Sequence, residues 1–325
     1  MTMDGPNPAS AGPATRFAPS PTGYLHAGHA FSAITAWRRA RDAGGRFLLR
    51  LEDIDPGRCR QAFADAILED LAWLGLDWDG PVRVQSRHLS EYQAVLDGLA
   101  EQGLVYPCFC TRSEVMREVA ASAGAPHGPD GAPLYPGTCR RLSPAEREDR
   151  VAAGARYALR LDMAAALRPG LWYEEVGEGR IACHPEAFGD VVLSRKDAPA
   201  SYHLCVTHDD AVQGVTLVTR GEDLRPATDL HRLIQALMGW PAPAYAHHRL
   251  VLDEHGRRLA KRDRAMTLRD MRERGMSAQE VIDRLDPAPA IRARLAAETL
   301  SNSASGHVAS GGDGSGDGCS NSPHS

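Results

Sequence analysis

His26 and His29 stand three residues apart, just after the run Ala18-Pro19-Ser20-Pro21-Thr22-Gly23. If a helix begins there, both imidazoles lie on its first turn. Unpaired backbone N–H groups and the positive end of the helix dipole favour an anion at that place. Two ring N–H donors would add hydrogen bonds to phosphate oxygens, and Gly28 would let a nucleotide approach the backbone. Taken alone, a His-x-x-His pair fits an ordinary turn or a metal pair as well. A second group is basic: Arg257, Arg258, Lys261, Arg262 and Arg264 surround Leu259-Ala260. Such a run is a solvated face or a phosphate-binding patch. A third group is thiol: Cys108, Cys110 and Cys139 flank a stretch dense in Gly and Pro. Three thiols with one further ligand could hold Zn²⁺ tetrahedrally, and buried free cysteines are the plainer alternative. His127, Cys183 and His184 are available as the further ligand, whereas Cys59, Cys205 and Cys319 read as plain thiols.

The elements that must position these groups follow from periodicity. Arg16 to Pro19 reads as a short strand ending in a turn-rich loop, followed by a helix over His26–Asp42 that stops at Gly44-Gly45. Phe47–Leu51 is a mostly apolar strand of the kind buried in a parallel sheet. Phe63, Ile67, Leu71 and Leu74 mark one helix face, and Leu89, Tyr92, Leu96 and Leu99 another, with a short strand at Pro81–Gln85 between them. This alternation predicts an α/β fold with a doubly wound, Rossmann-like parallel sheet. From Cys108 to about Asp190 the pattern weakens, apart from a strand-like Arg156–Leu161, and reads as an insertion. Regular patterning returns at Asp190–Ser194, Tyr202–Val206 and Val215–Thr219. A helix over Asp229–Gly239 follows, and a last helical stretch runs from Ser277 to about Leu300.

The motifs together resemble the class I aminoacyl-tRNA synthetases. Pro-Ser-Pro-Thr-Gly followed by Leu-His-Ala-Gly-His matches their ATP-binding signature, and Arg16–His29 resembles the glutamyl branch. Further matches are Arg50–Pro56, Gly189-Asp190, Ser194–Asp197, Tyr202–Leu204 with Asp209-Asp210, and Thr219–Leu224, all in order between Thr15 and Met266. The resemblance implies that His26, Gly28, His29 and Lys261 bind ATP, with His26, His29 and Lys261 stabilising charge on its phosphates. It implies that Arg16, Phe17, Ala18, Pro19, Ser20, Glu52, Tyr202 and Arg220 hold L-glutamate. The chemistry is suitable: arginines pair with carboxylates, and Glu52 can face the ammonium. Lys261 matches the second lysine of the family's Lys-Met-Ser-Lys-Ser loop, although Arg258, Ala260 and Arg262 replace a lysine and two serines.

Within the class, the Cys-x-Cys…Tyr-x-x-x-Cys arrangement and the short C-terminal part resemble the glutamyl-Q tRNA(Asp) synthetases. That resemblance makes Tyr135 the fourth ligand beside Cys108, Cys110 and Cys139, around one structural Zn²⁺. It also implies ATP with Mg²⁺, L-glutamate and queuosine-bearing tRNA(Asp) as partners. The alternatives are a truncated glutamyl-tRNA synthetase charging the tRNA 3′ end, a small-molecule nucleotidyltransferase, and an inactive zinc-stabilised RNA-binding module. The expected organisation is a flexible N-terminus (1–14) and a nucleotide-binding domain in two halves (15–107 and 189–265). A zinc-bearing insertion (108–188) separates the halves, and a helical remnant (266–300) and a disordered Ser/Gly tail (301–325) follow.

Composition narrows the remaining classes. The net charge of -5 gives no general attraction to nucleic acid, so RNA would need a local basic patch. Seven cysteines over 325 residues do not suit a secreted disulfide scaffold. No run approaches a membrane span and no signal peptide is evident, so the expectation is a cytoplasmic monomer with no membrane partner.

Overall fold

The computed structural model describes residues 12–121, 127–251 and 266–285. The basic run with Lys261, the N-terminal segment to residue 11, Cys319 and the Ser/Gly tail lie outside them. The chain begins with strand β1 (Ala14–Phe17), helix α1 (Ala27–Arg41), β2 (Arg46–Leu51), α2 (Gln61–Trp73), β3 (Arg83–Val84) and α3 (Leu89–Glu101). Next come β4 (Val105–Cys108), α4 (Arg112–Ala121), α5 (Pro144–Ala152), β5 (Ala158–Leu161) and the one-turn α6 (Met163–Ala166). The hairpin of β6 (Trp172–Glu175) and β7 (Gly179–Ala182) precedes β8 (Val192–Ser194). Then follow α7 (Tyr202–Val212), β9 (Leu217–Gly221), α8 (Ala227–Met238), β10 (Ala244–His248), α9 (Leu268–Glu273) and α10 (Ala278–Leu285).

β1, β2 and β3 pair in parallel, with Phe17 opposite Leu49. β10 lies between β9 and β6 and runs parallel to both, while β7 closes the edge antiparallel to β6. The two sets meet where Thr216 N donates to Ala14 O at 3.0 Å and Ala14 N donates to Thr216 Oγ1 at 2.9 Å. The strand order is therefore β3-β2-β1-β9-β10-β6-β7. Connections leave β1 towards β2 on one side and reach β9 on the other, so a crevice opens at the carboxyl ends of β1 and β9. Every residue from Phe47 to Leu51 is buried, which explains the nearly continuous apolar run in β2.

Two large hydrophobic cores form among the described residues. One joins Phe31 and Ile34 of α1, Phe47 and Leu49 of β2, and Ile67 and Leu71 of α2 to Leu268, Val281 and Leu285 of the C-terminal helices. The other joins Leu96 and Leu99 of α3 and Leu204 of α7 to Leu230, Leu233 and Ile234, the expected stripe of α8. α8 ends at Gly239, whose φ of 66° is the left-handed conformation that glycine adopts without strain.

Several expectations change in three dimensions. Residues 172–182, assigned by sequence to the insertion, form β6 and β7 of the main sheet, because β6 pairs with β10. Conversely, β4 leaves the first nucleotide-binding half and pairs with β5 in a separate antiparallel sheet of order β4-β5-β8. Tyr202–Val206, where the sequence shows regular patterning but no element type, opens helix α7, with Ser201 Oγ accepting from Leu204 N–H as its cap. Helix α9 lies within the helical remnant expected over 266–300, ahead of the stretch that starts at Ser277. It begins with a capping box between Thr267 and Asp270, and Leu268 N donates to Leu25 O at 2.8 Å.

Candidate active site

The site is best built from the start of α1. His26 is the N-cap, with extended backbone, rather than a residue of the first helical turn. Its Nδ1 accepts from Gly28 N–H at 3.1 Å, and Nδ1 of His29 accepts from His26 N–H at 3.2 Å. The two rings lie 3.8 Å apart between centroids. With both Nδ1 atoms acting as acceptors, each neutral ring carries its proton on Nε2. The pair is thus set to donate from Nε2. Gly28 also has a local role: a Cβ there would approach Cε1 of His26 at 3.1 Å, so the missing side chain makes room for the capping ring.

A cavity of about 440 Å³ opens at the carboxyl ends of β1 and β9. All eight residues expected to hold the amino acid line it, namely Arg16, Phe17, Ala18, Pro19, Ser20, Glu52, Tyr202 and Arg220, together with His29. The backbone joins two of their segments, because Glu52 N donates to Pro19 O at 3.1 Å.

Beneath this cavity lies an ionic network that the sequence reading did not foresee, although it had assigned two of the members, Arg16 and Glu52, to glutamate. Arg16 Nε donates to Asp210 Oδ1 at 2.9 Å, and Arg50 Nη2 donates to the same oxygen at 2.5 Å. Arg50, fully buried in β2, also donates from Nε to Gln213 at 2.8 Å. Asp209 is held by Arg83 Nε at 2.8 Å, Gln85 Nε2 at 2.9 Å and Tyr92 OH at 2.9 Å. Burial alone would raise Asp209, but the contact with His208 Nδ1 at 3.2 Å, the Arg50 and Arg83 charges and the Gln85 donor bring it down to about 2, and Arg16 and Arg50 likewise lower Asp210. Glu52 behaves differently. Burial raises it to about 7, although Arg50 and Arg16 pull the other way. One signal for this network was available in the sequence: an arginine in the apolar strand Phe47–Leu51 must be paired if that strand is buried.

Arg220, at the end of β9, is 4% exposed and has no carboxylate partner among the described residues. It donates to Nε2 of His247 at 3.2 Å, Nδ1 of His231 at 3.1 Å and Oγ1 of Thr228 at 2.7 Å. Three neutral acceptors take three of a guanidinium's five N–H groups. Two donors and a full charge remain for a ligand carboxylate. His247 is held in turn by Glu175, whose Oε2 accepts from Nδ1 at 2.7 Å. Nδ1 of His203 lies 3.1 Å from Nε2 of His231.

A second cavity of about 290 Å³ adjoins the first, sharing Ser20, Glu52 and Tyr202 and adding Gln85 and His203. It shares Asp55, Arg58, Arg195 and Ser201 with a wide cleft of about 1070 Å³. That cleft carries Arg58, Arg112, Arg156, Arg160, Arg195 and Lys196 against Asp55 and Asp197. It is the local basic patch that an RNA contact would require in a chain of net negative charge.

Cys108 and Cys110 also line the cleft. Cys108 ends β4, Cys110 follows it, and Tyr135 and Cys139 come from the loop before α5. The sulfurs of Cys108, Cys110 and Cys139 lie within 4.8 Å of one another, so the three could hold a metal ion. Sγ of Cys110 is 3.5 Å from that of Cys139, and the Tyr135 hydroxyl is 3.4 Å from Sγ of both Cys108 and Cys110. Bonds of about 2.3 Å to sulfur and 2.0 Å to oxygen in a tetrahedron give S···S of about 3.8 Å and S···O of about 3.5 Å. The donor set therefore fits a tetrahedral ion. Burial pushes the Cys110 thiol up to about 11, so a thiolate there needs a neighbouring positive charge. The other sequence candidates lie apart from the cluster. Cys183 packs with Leu48 and Tyr173, His184 faces Glu186, and His127 pairs through its backbone with Pro133.

Comparison with known proteins agrees with this architecture. Residues 14–286 match the family model described as tRNA synthetases class I (E and Q), catalytic domain. The chain is 50% identical over 277 residues to a glutamyl-Q tRNA(Asp) synthetase of Rhodobacter capsulatus, covering 82% of this chain and 97% of that one. It is 46% identical over 291 residues to one of Nocardia farcinica, covering 90% and 89%. Among solved structures, a glutamate tRNA ligase of Elizabethkingia meningosepticum in complex with its amino acid superposes with a TM-score of 0.67 at 29% identity. That match covers 77% of this chain and 52% of the ligase, so the chain spans about half of the larger enzyme. The chain belongs to the class I tRNA synthetase catalytic-domain family for E and Q, and within it to the glutamyl-Q tRNA(Asp) synthetases.

Proposed function

We propose that the chain activates L-glutamate with ATP and transfers it to the queuosine base at the wobble position of tRNA(Asp). The observation that carries the first step is the buried Arg220 guanidinium, partnered by neutral groups and facing the switch-point cavity. Glutamate would neutralise it with one carboxylate and place its ammonium against Glu52. Its α-carboxylate oxygen then attacks the α-phosphorus of ATP. The bond to the bridging oxygen breaks, and pyrophosphate leaves with the electron pair. His26 and His29, with Nε2–H donors fixed by their Nδ1 contacts, would stabilise the phosphate oxygens. Lys261 is assigned the same role from its motif, with Mg²⁺ accompanying ATP. In the second step a hydroxyl oxygen of the queuosine diol attacks the acyl carbon. The acyl–phosphate bond breaks, AMP keeps the electron pair, and the hydroxyl proton passes to its phosphate.

Labelled glutamate should pass to queuosine-containing tRNA(Asp) and not to queuosine-free tRNA(Asp), after glutamate-dependent ATP–pyrophosphate exchange that needs no tRNA. Absence of that exchange would remove the activation step. Equal labelling of both tRNAs at the 3′ end would favour the truncated glutamyl-tRNA synthetase.

Glu52 implies a pH dependence. A carboxylate is needed to receive the ammonium, and burial makes Glu52 ionise only around pH 7. The affected form is the acid, so glutamate binding strengthens as pH rises. The glutamate KM in pyrophosphate exchange is expected to fall about 10-fold from pH 6 to pH 8, and a flat profile for the parent protein would exclude this role.

We assign one structural Zn²⁺ to Cys108, Cys110 and Cys139 with the Tyr135 hydroxyl. The ion would cross-link β4 to the loop before α5, along the wall of the basic cleft. Purified protein should hold about one equivalent of zinc. Tyr135→Phe keeps the ring under Arg160, whose guanidinium carbon is 3.8 Å from its centroid, and removes only the oxygen ligand. It should release zinc at roughly tenfold lower chelator concentration. An unchanged chelator titration would transfer the fourth position to another group.

A further inference from the structure

The smaller cavity is walled by a ring whose proton is placed by the buried network behind it. An arginine can only donate, so the 3.1 Å contact from Arg220 Nη1 makes Nδ1 of His231 an acceptor. The His231 proton then sits on Nε2 and is donated to Nδ1 of His203 at 3.1 Å. The remaining His203 proton must lie on Nε2. Reversing the chain would set an N–H of His231 against an N–H of Arg220, both buried, with no acceptor between them. Adding a proton instead is opposed by burial, which holds His231 well below its ordinary value and brings His203 down to about 4. Near neutral pH, His203 is therefore a fixed Nε2–H donor. Its ring has no other hydrogen-bond partner among the described residues.

The position of this donor matters. His203 lines the cavity of about 290 Å³ that joins the amino-acid pocket to the basic cleft. Two imidazole widths and two hydrogen bonds separate it from Arg220, so it is badly placed to share the carboxylate that Arg220 binds. Asp55, Arg58, Arg195 and Ser201 join this cavity to the cleft, so a ligand can enter it from that side. We propose that this cavity seats the diol-bearing ring of the acceptor nucleoside, and that His203 is a positioning residue whose tautomer Arg220 locks through His231. This rests on the transfer reaction proposed above.

A vicinal diol offers two hydroxyls, each able to donate and accept. A ring free to change tautomer could bind such a diol in more than one way. A ring that only donates takes one oxygen by its lone pair. A hydrogen bond donated into the attacking oxygen would draw electron density from it and slow its attack, so His203 serves the transfer best on the neighbouring oxygen. His203 takes no proton in the step.

The test separates the two half-reactions. Pyrophosphate exchange with glutamate and ATP reports the first and shows that a variant is folded. Single-turnover transfer from preformed glutamyl-adenylate to queuosine-containing tRNA(Asp) reports the second. In His203→Phe the ratio of transfer to exchange is expected to fall about 30-fold, because one hydrogen bond to the acceptor is lost. His203→Gln, which can place an amide N–H near the same point, should recover most of that ratio. A general structural role would lower exchange and transfer together and leave the ratio unchanged, which would overturn the proposal. Unimpaired transfer by His203→Phe would overturn it as well. If the parent protein exchanges pyrophosphate but transfers to no tRNA, the functional reading itself fails, and this inference with it.

Discussion

Replacing Arg220 by leucine is expected to raise the glutamate KM in pyrophosphate exchange by about 100-fold or more. The guanidinium is almost fully buried and is hydrogen-bonded to Thr228, His231 and His247, none of which is charged to balance it. Its charge-balancing partner is left for the ligand to supply. Losing one side of a buried hydrogen-bonded ion pair costs about 2–5 kcal/mol, because the other charge stays desolvated. Arg220→Lys should recover little. An ammonium cannot supply three directed N–H groups to the neighbours and still present two to a carboxylate. Preference for glutamate over glutamine should shrink in Arg220→Leu, because an amide in the parent pocket leaves the buried guanidinium unbalanced. Parallel exchange assays with both amino acids measure this. A KM change below about fivefold would place the carboxylate elsewhere.

Replacing Arg50 by methionine is expected to destabilise the protein by about 3–5 kcal/mol and lower its melting temperature by roughly 10 °C. Arg50 is fully buried and lies 2.5 Å from Asp210, 3.7 Å from Asp209 and 3.9 Å from Glu52. Methionine fills much of the volume but leaves three carboxylates without their shared cation. Arg50 is also the strongest of the charges that keep Glu52 from rising further. Its loss moves the Glu52 ionisation up, so the fall in glutamate KM with pH should shift to higher pH in the variant. Thermal melts and KM profiles read these effects separately. A melting temperature within about 2 °C of the parent would mean that the network relaxes or admits water.

The contrast between these two arginines shows what could be read along the chain. Arg220 stands in Thr219–Leu224, a motif legible in order with its neighbours, and the sequence reading placed it in the glutamate site. Arg50 stands in an equally legible motif, yet its role depends on Asp210, 160 residues away. Arg16 and Asp210 are 194 residues apart and form a 2.9 Å contact. A pattern in one dimension cannot say which distant charges will share a desolvated volume. The histidine pair teaches a similar lesson. Its spacing pointed to phosphate donors, but only the cap geometry fixes which nitrogen carries each proton. Strand assignments followed the same rule. β6 reads as part of an irregular insertion until its pairing with β10 places it in the main sheet.

The sequence by itself determined the α/β class, the ordered motifs from Arg16 to Leu224, the set of residues that line the switch-point cavity, and the cysteine spacing suited to a metal. Those features are local: each depends on residue type and on separations of a few positions. The tertiary structure decided what depends on distant partners. It joined β1 to β9 and so opened the cavity, balanced Asp209 and Asp210 with three arginines, and raised Glu52 to about 7. It also brought Tyr135, rather than Cys183 or His184, to the thiols, and set His203 at the end of a hydrogen-bond chain that begins at Arg220. Burial and electrostatics are properties of a volume, and only the folded chain defines that volume.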